Sequence, residues 1–168
     1  LHSFPTRRSS DLEHKIPYDL WIEKGYMRTC PGNSNHPKYV TEWFCEIRDK
    51  YDIYLPWIGY DAWSAKYWVE EMQMEFGKEA MIPVRQGKQT LSGPMKNLKA
   101  NLESKRLNYN NNPVDRWCLC NTAVDVDKND NIQPIKTSNP RRRIDGTAAL
   151  LDACVVLDEK LNEYMSLI

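Results

Sequence analysis

Tyr54-Leu55-Pro56-Trp57-Ile58-Gly59-Tyr60-Asp61 is an apolar run that ends in an aspartate, and a helix-type pattern follows it from Ala62. The length of this run is typical of a buried strand. In open α/β sheets, ligands and reacting groups lie at the carboxyl ends of the strands. The sequence therefore predicts that Asp61 stands at a functional edge of a sheet.

The other patterns predict an α/β chain in which helices flank a central mixed sheet. A second apolar run, at 81–84, follows the helix predicted over 62–76, and a strand, helix and strand of this size normally form a parallel pair. The tryptophans at 57, 63, 68 and 117 are expected in the core. Further elements are predicted as helices over 38–49, 95–104 and 145–165 and from Pro113, a strand over 26–30, and a hairpin of 122–127 with 132–136.

A second candidate acid follows a basic run near the other end of the chain, in Arg141-Arg142-Arg143-Ile144-Asp145. Two carboxylates that converge on one sheet edge repel each other unless they are protonated or bridged by a cation. Carboxylate oxygens suit Mg²⁺ or Mn²⁺, and two such ions can activate water against a phosphodiester. Asp61 and Asp145 are therefore candidate metal ligands and catalytic residues.

Each carboxylate also has a simpler interpretation. An aspartate before a helix is often an N-cap, because its side chain accepts backbone N–H groups of the first turn. Asp61 and Asp145 both precede predicted helices. Asp152 lies about two turns beyond Asp145 on a similar helix face, where it is either an accessory ligand or a structural polar residue.

Basic residues beside Asp145 suit contact with a phosphate backbone. Lys136 precedes the run of Arg141, Arg142 and Arg143, and we consider all four as DNA-binding residues. A solvated loop explains the same run of charge. The formal net charge is +0, so any contact with nucleic acid has to come from local patches of this kind.

Length and cysteine content narrow the class of protein. The 168 residues fit one domain, and no apolar run reaches the roughly 18 residues of a membrane-spanning helix. Five cysteines, an odd number at low density, indicate a reducing compartment. Cys118 and Cys120 lack the spacing and the second ligand pair of a zinc site.

The first residues are predicted to be an artefact. His2-Ser3-Phe4-Pro5-Thr6-Arg7-Arg8-Ser9-Ser10-Asp11-Leu12 looks like one reading frame of a sequencing-adapter oligonucleotide. Such scars are left out of fold reasoning. We therefore divide the chain into residues 1–12, derived from an adapter, and 13–168, a domain that is truncated at its N-terminus.

Several short motifs occur in a specific order across residues 13–168. They are Ile16-Pro17-Tyr18, Gly59-Tyr60-Asp61-Ala62-Trp63, Val84-Arg85-Gln86-Gly87, Leu91-Ser92-Gly93-Pro94, Asn112-Pro113 with Trp117 and Asn121, and Arg143-Ile144-Asp145-Gly146. This order resembles the nuclease domain of the large terminase subunit of tailed bacteriophages. The resemblance implies an RNase H-like fold whose first strands are missing from this chain.

The same resemblance implies a metal-dependent endonuclease that cuts concatemeric, double-stranded viral DNA. Members of that family hold two Mg²⁺ or Mn²⁺ ions with three acids. Asp61 is similar to the second acid and Asp145 to the third. The first acid would lie on an earlier strand, so the resemblance implies that this chain is catalytically incomplete.

The resemblance also implies partners and a location. An ATP-driven motor would lie upstream, and the portal and the small terminase subunit would bind a homo-oligomer of the full-length protein in the cytoplasm of an infected bacterium. Two alternatives remain open. One is a non-catalytic module for DNA binding or docking, and the other is an integrase or resolvase, which would share the acids but not the segments at Gln86-Gly87 and Asn112-Pro113.

Overall fold

Helices and short strands alternate along the chain in the computed structural model, which describes residues 16–32, 36–63, 65–139 and 141–167. The predicted adapter segment, residues 1–12, lies outside the described residues. The elements are α1 (Tyr18–Glu23), α2 (Pro37–Tyr51), β1 (Ile58–Asp61), α3 (Lys66–Phe76), a 3-10 turn (Lys78–Ala80), β2 (Met81–Val84), α4 (Lys88–Glu103), α5 (Pro113–Asn121), β3 (Thr122–Val126), β4 (Ile132–Lys136) and α6 (Asp145–Met165).

The β1–β2 pair is the centre of the fold. The two strands are parallel, and Asp61 lies opposite Val84 in their register. Helix α3 connects them, so the predicted unit of strand, helix and parallel strand is confirmed. Both strands end at the same edge, and this edge carries Asp61.

Helices cover both faces of this pair, because successive side chains of a strand point to opposite faces. Two buried clusters result, one with α2 and α3 and one with α4 and α6. The first contains Ile58, Met72 and Met81 with Phe44, Trp68 and Phe76 packed against it, and the second contains Val84, Leu91, Val155 and Val156 with Trp57 and Ile82 packed against it.

The predicted hairpin is confirmed as β3 and β4, which pair antiparallel. Residues at every fourth position of α4 hold it, and this spacing places them on one helix face. These contacts are an ion pair of 2.8 Å from Lys88 to Asp125, a bond of 3.1 Å from the Ile132 N–H to Ser92 Oγ, and a bond of 2.8 Å from Lys96 Nζ to the Asp130 carbonyl.

The strands differ from the prediction in how they are grouped. Within the described residues, they form two separate two-stranded sheets, one parallel and one antiparallel, where the sequence predicts one mixed sheet. Side chains of α4 hold the hairpin, so it needs no backbone hydrogen bonds to β2. The α/β class itself is as predicted.

One predicted strand is absent, and one predicted helix is present but begins earlier than expected. Residues 26–30 contain no strand. Instead, this segment is attached to α2 by Arg28, whose two terminal nitrogens donate to the Glu46 carboxylate at 2.6 and 2.8 Å. The helix predicted from residue 95 begins at Lys88, with Pro94 inside it. Gly87 enables this early start, because its φ of 130° suits glycine alone.

Helix α3 begins at Lys66, four residues later than the predicted start at residue 62. Trp63 therefore lies in the turn after β1, off the inward face of the helix. Its side chain is 93% exposed, so the expectation that it belongs to the core is wrong. No helix in the described part of the chain combines the length and apolar character that crossing a membrane requires.

Gly59→Ala should destabilise the fold. A Cβ at this position would lie 2.8 Å from the Asp152 carbonyl oxygen and 2.9 Å from Val156 Cγ2, and the first of these atoms is helix backbone that cannot move alone. We expect a loss of about 1–3 kcal/mol, the usual range for overpacking, in chemical unfolding experiments.

Gly93→Ala is the matched control. Gly93 lies within α4, and beyond its chain neighbours and its own helix backbone a Cβ there would have nothing within 4 Å. Alanine is the better helix former, but the ring of Pro94 restricts a Cβ on the preceding residue, so the two effects oppose each other and the free energy of unfolding should change by less than about 1 kcal/mol. Equal stabilities of the two variants would contradict the close packing at Gly59.

Candidate active site

Asp61 is the last residue of β1 and is half-buried. Its Oδ1 accepts a hydrogen bond of 3.0 Å from the Trp63 backbone N–H. Helix α3 has Ala65 at its N-cap position and no side-chain cap. Asp61 is therefore not the N-cap residue of α3, and its carboxylate orders the turn after the strand.

Asp145 is the first residue of α6, and its side chain is 62% exposed. The N-cap position belongs to Ile144, and no side chain caps this helix. The N-cap interpretation of Asp145 is therefore also wrong. Its carboxylate instead lies 3.8 Å from Lys136 Nζ, at a helix start where the backbone N–H groups favour negative charge.

The junction of α5 and β3 holds the chain that leads into α6. Buried Asn121 donates from Nδ2 to the Arg143 carbonyl oxygen at 3.2 Å. The Thr122 hydroxyl donates to the Cys118 carbonyl oxygen. The Thr122 and Thr147 hydroxyl oxygens are 2.9 Å apart. These bonds lie on both sides of Asp145 and fix the first turn of α6 in place.

Gly146 brings this turn close to α5. A Cβ at Gly146 would lie 3.1 Å from Cys118 Sγ and 3.7 Å from Asp115 Oδ1. Burial raises the pKa of the Cys118 thiol, and the charges of Asp145 and Asp115 raise it further. Burial also raises the pKa of Asp115. The carboxylate of Asp115 therefore lies near the start of α6, beside Asp145. Nothing in the sequence indicated this, because Asp115 belongs to the first turn of α5.

Asp152 is the carboxylate that the structure brings near Asp61. It is 7% exposed, and its Oδ1 accepts a hydrogen bond of 2.9 Å from Gln86 Nε2. Burial raises the pKa of Asp152, the bond from Gln86 opposes this shift, and the charge of Asp61 adds to it. Sequence reasoning assigned no role to Gln86, although the motif Val84-Arg85-Gln86-Gly87 contains it.

The predicted DNA-binding residues occupy the loop and strand before α6. Arg142 is exposed, and Arg141 and Arg143 are half-buried. Asn139 orders the start of the loop, because its side chain accepts from the Arg141 N–H and its carbonyl accepts from the Arg142 N–H. Lys136, at the end of β4, contacts Asp145 directly.

The carboxylates are oxygen donors of the kind that Mg²⁺ and Mn²⁺ prefer. Asp61 and Asp152 lie close enough for their charges to interact, and Asp145 precedes Asp152 on the same helix by about two turns. No group of three or more His, Cys, Asp or Glu side chains in the described ranges is arranged to hold a metal ion. The chemistry of these oxygen donors fits a divalent cation. The described residues would supply part of its ligand set.

Comparison with known proteins gives consistent similarities. The family described as "Terminase large subunit, endonuclease domain" matches residues 5–160. "Terminase, large subunit" of Enterobacteria phage HK97 is 25% identical over 136 residues, covering 81% of this chain and 26% of that protein. "Protein YmfN" of Escherichia coli is 34% identical over 155 residues, covering 89% of this chain and 32% of that protein.

The fold is also similar to a solved structure. The crystal structure of the HK97 bacteriophage large terminase matches with a TM-score of 0.75 at 23% identity, over 88% of this chain and 30% of that one. The chain thus spans about a quarter to a third of the length of these relatives.

Asp152→Asn should stabilise the protein at pH 7. Because the pKa of Asp152 is raised by burial, the folded state keeps this proton to a higher pH than the unfolded state does. Stability is therefore lost as pH rises above the unfolded pKa of about 3.9 and towards the folded pKa. Thermal unfolding should show a higher midpoint for the variant at pH 7 and a shrinking difference towards pH 3.

Asp125→Asn is the control with the opposite sign. The bond from Lys88 lowers the pKa of Asp125, so its contribution is present above the unfolded pKa and is lost as pH falls. This variant should unfold at a lower temperature than the parent at pH 7, and the difference should again shrink at low pH. A shift in the same direction for both variants would contradict this assignment.

Proposed function

This chain belongs to the family of terminase large subunit endonuclease domains, and from that premise we propose that it provides carboxylates of a metal-dependent endonuclease. The substrate we propose is concatemeric, double-stranded viral DNA during packaging. One observation carries the proposal: α6, which begins at Asp145, packs against β1, which ends at Asp61. Both acids thus stand at the ends of elements that contact each other.

Asp61 and Asp145 are the residues we propose to hold Mg²⁺ or Mn²⁺, with two ions in the complete site. Bound ions of this kind activate water and stabilise the leaving oxygen of a phosphodiester. The chain's own contribution is to keep the acids in place. The Trp63 N–H orients the Asp61 carboxylate, and the bonds around Arg143 and Thr147 hold the turn that contains Asp145.

Lys136 and the arginine run support a DNA-binding role beside these acids. The ammonium of Lys136 lies 3.8 Å from Asp145, and both side chains are about half exposed or more. A phosphate that approaches Asp145 would therefore meet a positive charge. Arg141, Arg142 and Arg143 extend this charge along the loop before α6, where they would contact the backbone of the DNA.

The complete protein would have further activities and partners. We propose an ATP-driven motor in a separate part of it, together with contacts to the portal and the small terminase subunit. We also propose that it forms a homo-oligomer and works in the cytoplasm of the infected bacterium. This chain spans only 26–32% of the relatives it matches. These proposals about the complete protein therefore rest on membership of the family.

The second candidate is a non-catalytic module for DNA binding or docking in the packaging machine. It is favoured by the partial donor set, since the described residues contain no group of three acids, histidines or cysteines arranged around one point. The two candidates differ in whether Asp61 and Asp145 are needed for cleavage.

Asp61→Asn and Asp145→Asn should each abolish most cleavage in a protein with the full length of the relatives. Metal ions contribute several kcal/mol of charge stabilisation, so we expect at least about a hundredfold loss of rate. Gel assays of double-stranded DNA with Mg²⁺ or Mn²⁺ measure this rate. Binding of DNA and the unfolding midpoint should change little.

Asp158→Asn is the matched control, because Asp158 is exposed on the same helix as Asp145. It should cut DNA at the parent rate. If the Asp61 and Asp145 variants also cut at the parent rate, the nuclease proposal fails for these residues. Retained DNA binding without any cleavage by the parent would support the docking module.

Arg142→Gln should weaken binding of duplex DNA of any sequence. A phosphate contact releases counterions, so removing it should reduce the slope of log affinity against log salt by about one. Fluorescence anisotropy at several salt concentrations measures both quantities. Lys78→Gln removes the same charge from an exposed turn away from the basic loop and should leave the slope unchanged.

A further inference from the structure

The side-chain amide of Gln86 connects the end of β2 with helix α6. Its Nε2 lies 2.9 Å from Asp152 Oδ1 and 3.4 Å from the Val84 carbonyl oxygen. Val84 is the residue opposite Asp61 in the parallel register. One amide group therefore links the strand beside Asp61 to the helix that begins at Asp145.

Asp152 contacts both strands of the central pair. Its side chain bonds Gln86 after β2, and its carbonyl oxygen would lie 2.8 Å from a Cβ at Gly59 of β1. In the described part of the chain, a neutral amide is the only hydrogen-bond partner of its carboxylate, although the residue is 7% exposed. A buried carboxylate is unfavourable without a donor, so loss of the amide favours a shift of α6 that exposes Asp152 to water.

Gln86 itself is exposed, whereas the carboxylate that it covers is buried. A change at Gln86 therefore removes no part of the apolar core. Its effect should be confined to the distance and orientation between the end of the β1–β2 pair and α6. These are the two elements that carry Asp61 and Asp145.

We propose that Gln86 and Asp152 are positioning residues, which set the separation of Asp61 and Asp145 and so the affinity of this site for a divalent cation. The inference rests on the proposed function. Metal and catalytic constellations have to be held within about 0.5 Å of the productive geometry. A hydrogen bond that bridges the two supporting elements meets this requirement, and no direct contact of Gln86 or Asp152 with the cation is needed.

Gln86→Met tests the proposal, because methionine has a similar length and cannot donate a hydrogen bond. Mn²⁺ is titrated into the whole chain and followed by electron paramagnetic resonance. In parallel, the Mn²⁺ concentration for half-maximal cleavage is measured in a protein with the full length of the relatives. We expect both half-saturation values to rise about tenfold, as is usual when the partner of a metal-site residue is lost. DNA affinity should stay close to that of the parent, whereas the unfolding midpoint at pH 7 should fall, because the buried Asp152 carboxylate loses its donor.

Gln89→Met is the matched control, since Gln89 is exposed three residues away at the start of α4. It should leave the Mn²⁺ dependence unchanged. Asp152→Asn keeps a side-chain oxygen that accepts from Gln86, so its half-saturation should stay within about threefold of the parent, well below the loss expected for a missing partner.

Exchange of the two groups provides a rescue. The double variant Gln86→Glu with Asp152→Asn keeps one amide and one carboxylate in the bonded pair, so its charge equals that of the parent. In this double variant the amide at position 152 donates to the carboxylate at position 86, so the half-saturation should stay close to that of the parent and below that of Gln86→Met. A purely structural role would change the unfolding midpoint and leave the Mn²⁺ dependence unaltered.

The outcomes separate this inference from the function on which it rests. If the parent neither binds Mn²⁺ nor cuts DNA, the proposed function fails. If the parent does both and Gln86→Met has the parent half-saturation, the positioning role fails alone. It also fails if the double variant is no better than Gln86→Met, or if Asp152→Asn alone abolishes Mn²⁺ binding, which would make Asp152 a ligand.

Discussion

The contact between β1 and α6 at Gly59 is the constraint on which the rest of this structure depends. Because Gly59 has no side chain, the backbone of α6 at Asp152 can lie directly on the strand. This contact buries Val155 and Val156 beside Val84. It also brings the carboxylate of Asp61, at the end of the strand, near that of Asp152 on the helix.

Charge is distributed locally in a chain that has no net charge. The buried carboxylate of Asp152 is matched by an amide, and the exposed carboxylate of Asp145 by an ammonium group. Asp61 lies between these two environments, half-buried and held by the backbone of its own turn. The three acids thus have different surroundings.

Much of the architecture could be predicted from the sequence, because apolar runs of strand length and helical spacing are local signals. The parallel β1–β2 pair, the hairpin and the last helix are confirmed, and the match to the HK97 large terminase confirms the RNase H-like α/β class. The resemblance to the terminase nuclease domain is confirmed as well.

The rest depended on contacts between distant residues or on where a helix begins. Trp63 follows an apolar pattern, yet a later start of α3 leaves it in an exposed turn. The bond between Gln86 and Asp152 joins positions 66 residues apart, and nothing local indicates it. The roles of Asp61 and Asp145 stay predictions, although neither residue is the helix cap that their positions suggested.

Gly146 resembles Gly59 in one respect, because each brings α6 against another element without a side chain between them. The two contacts lie on different parts of the helix, one with α5 and one with β1. As sequences of this family diverge, we therefore expect side-chain size to be restricted at the two places where α6 packs closely on another element. Substitutions should accumulate along its exposed C-terminal half, while any enlargement at either glycine would need compensating changes in a different segment of the chain.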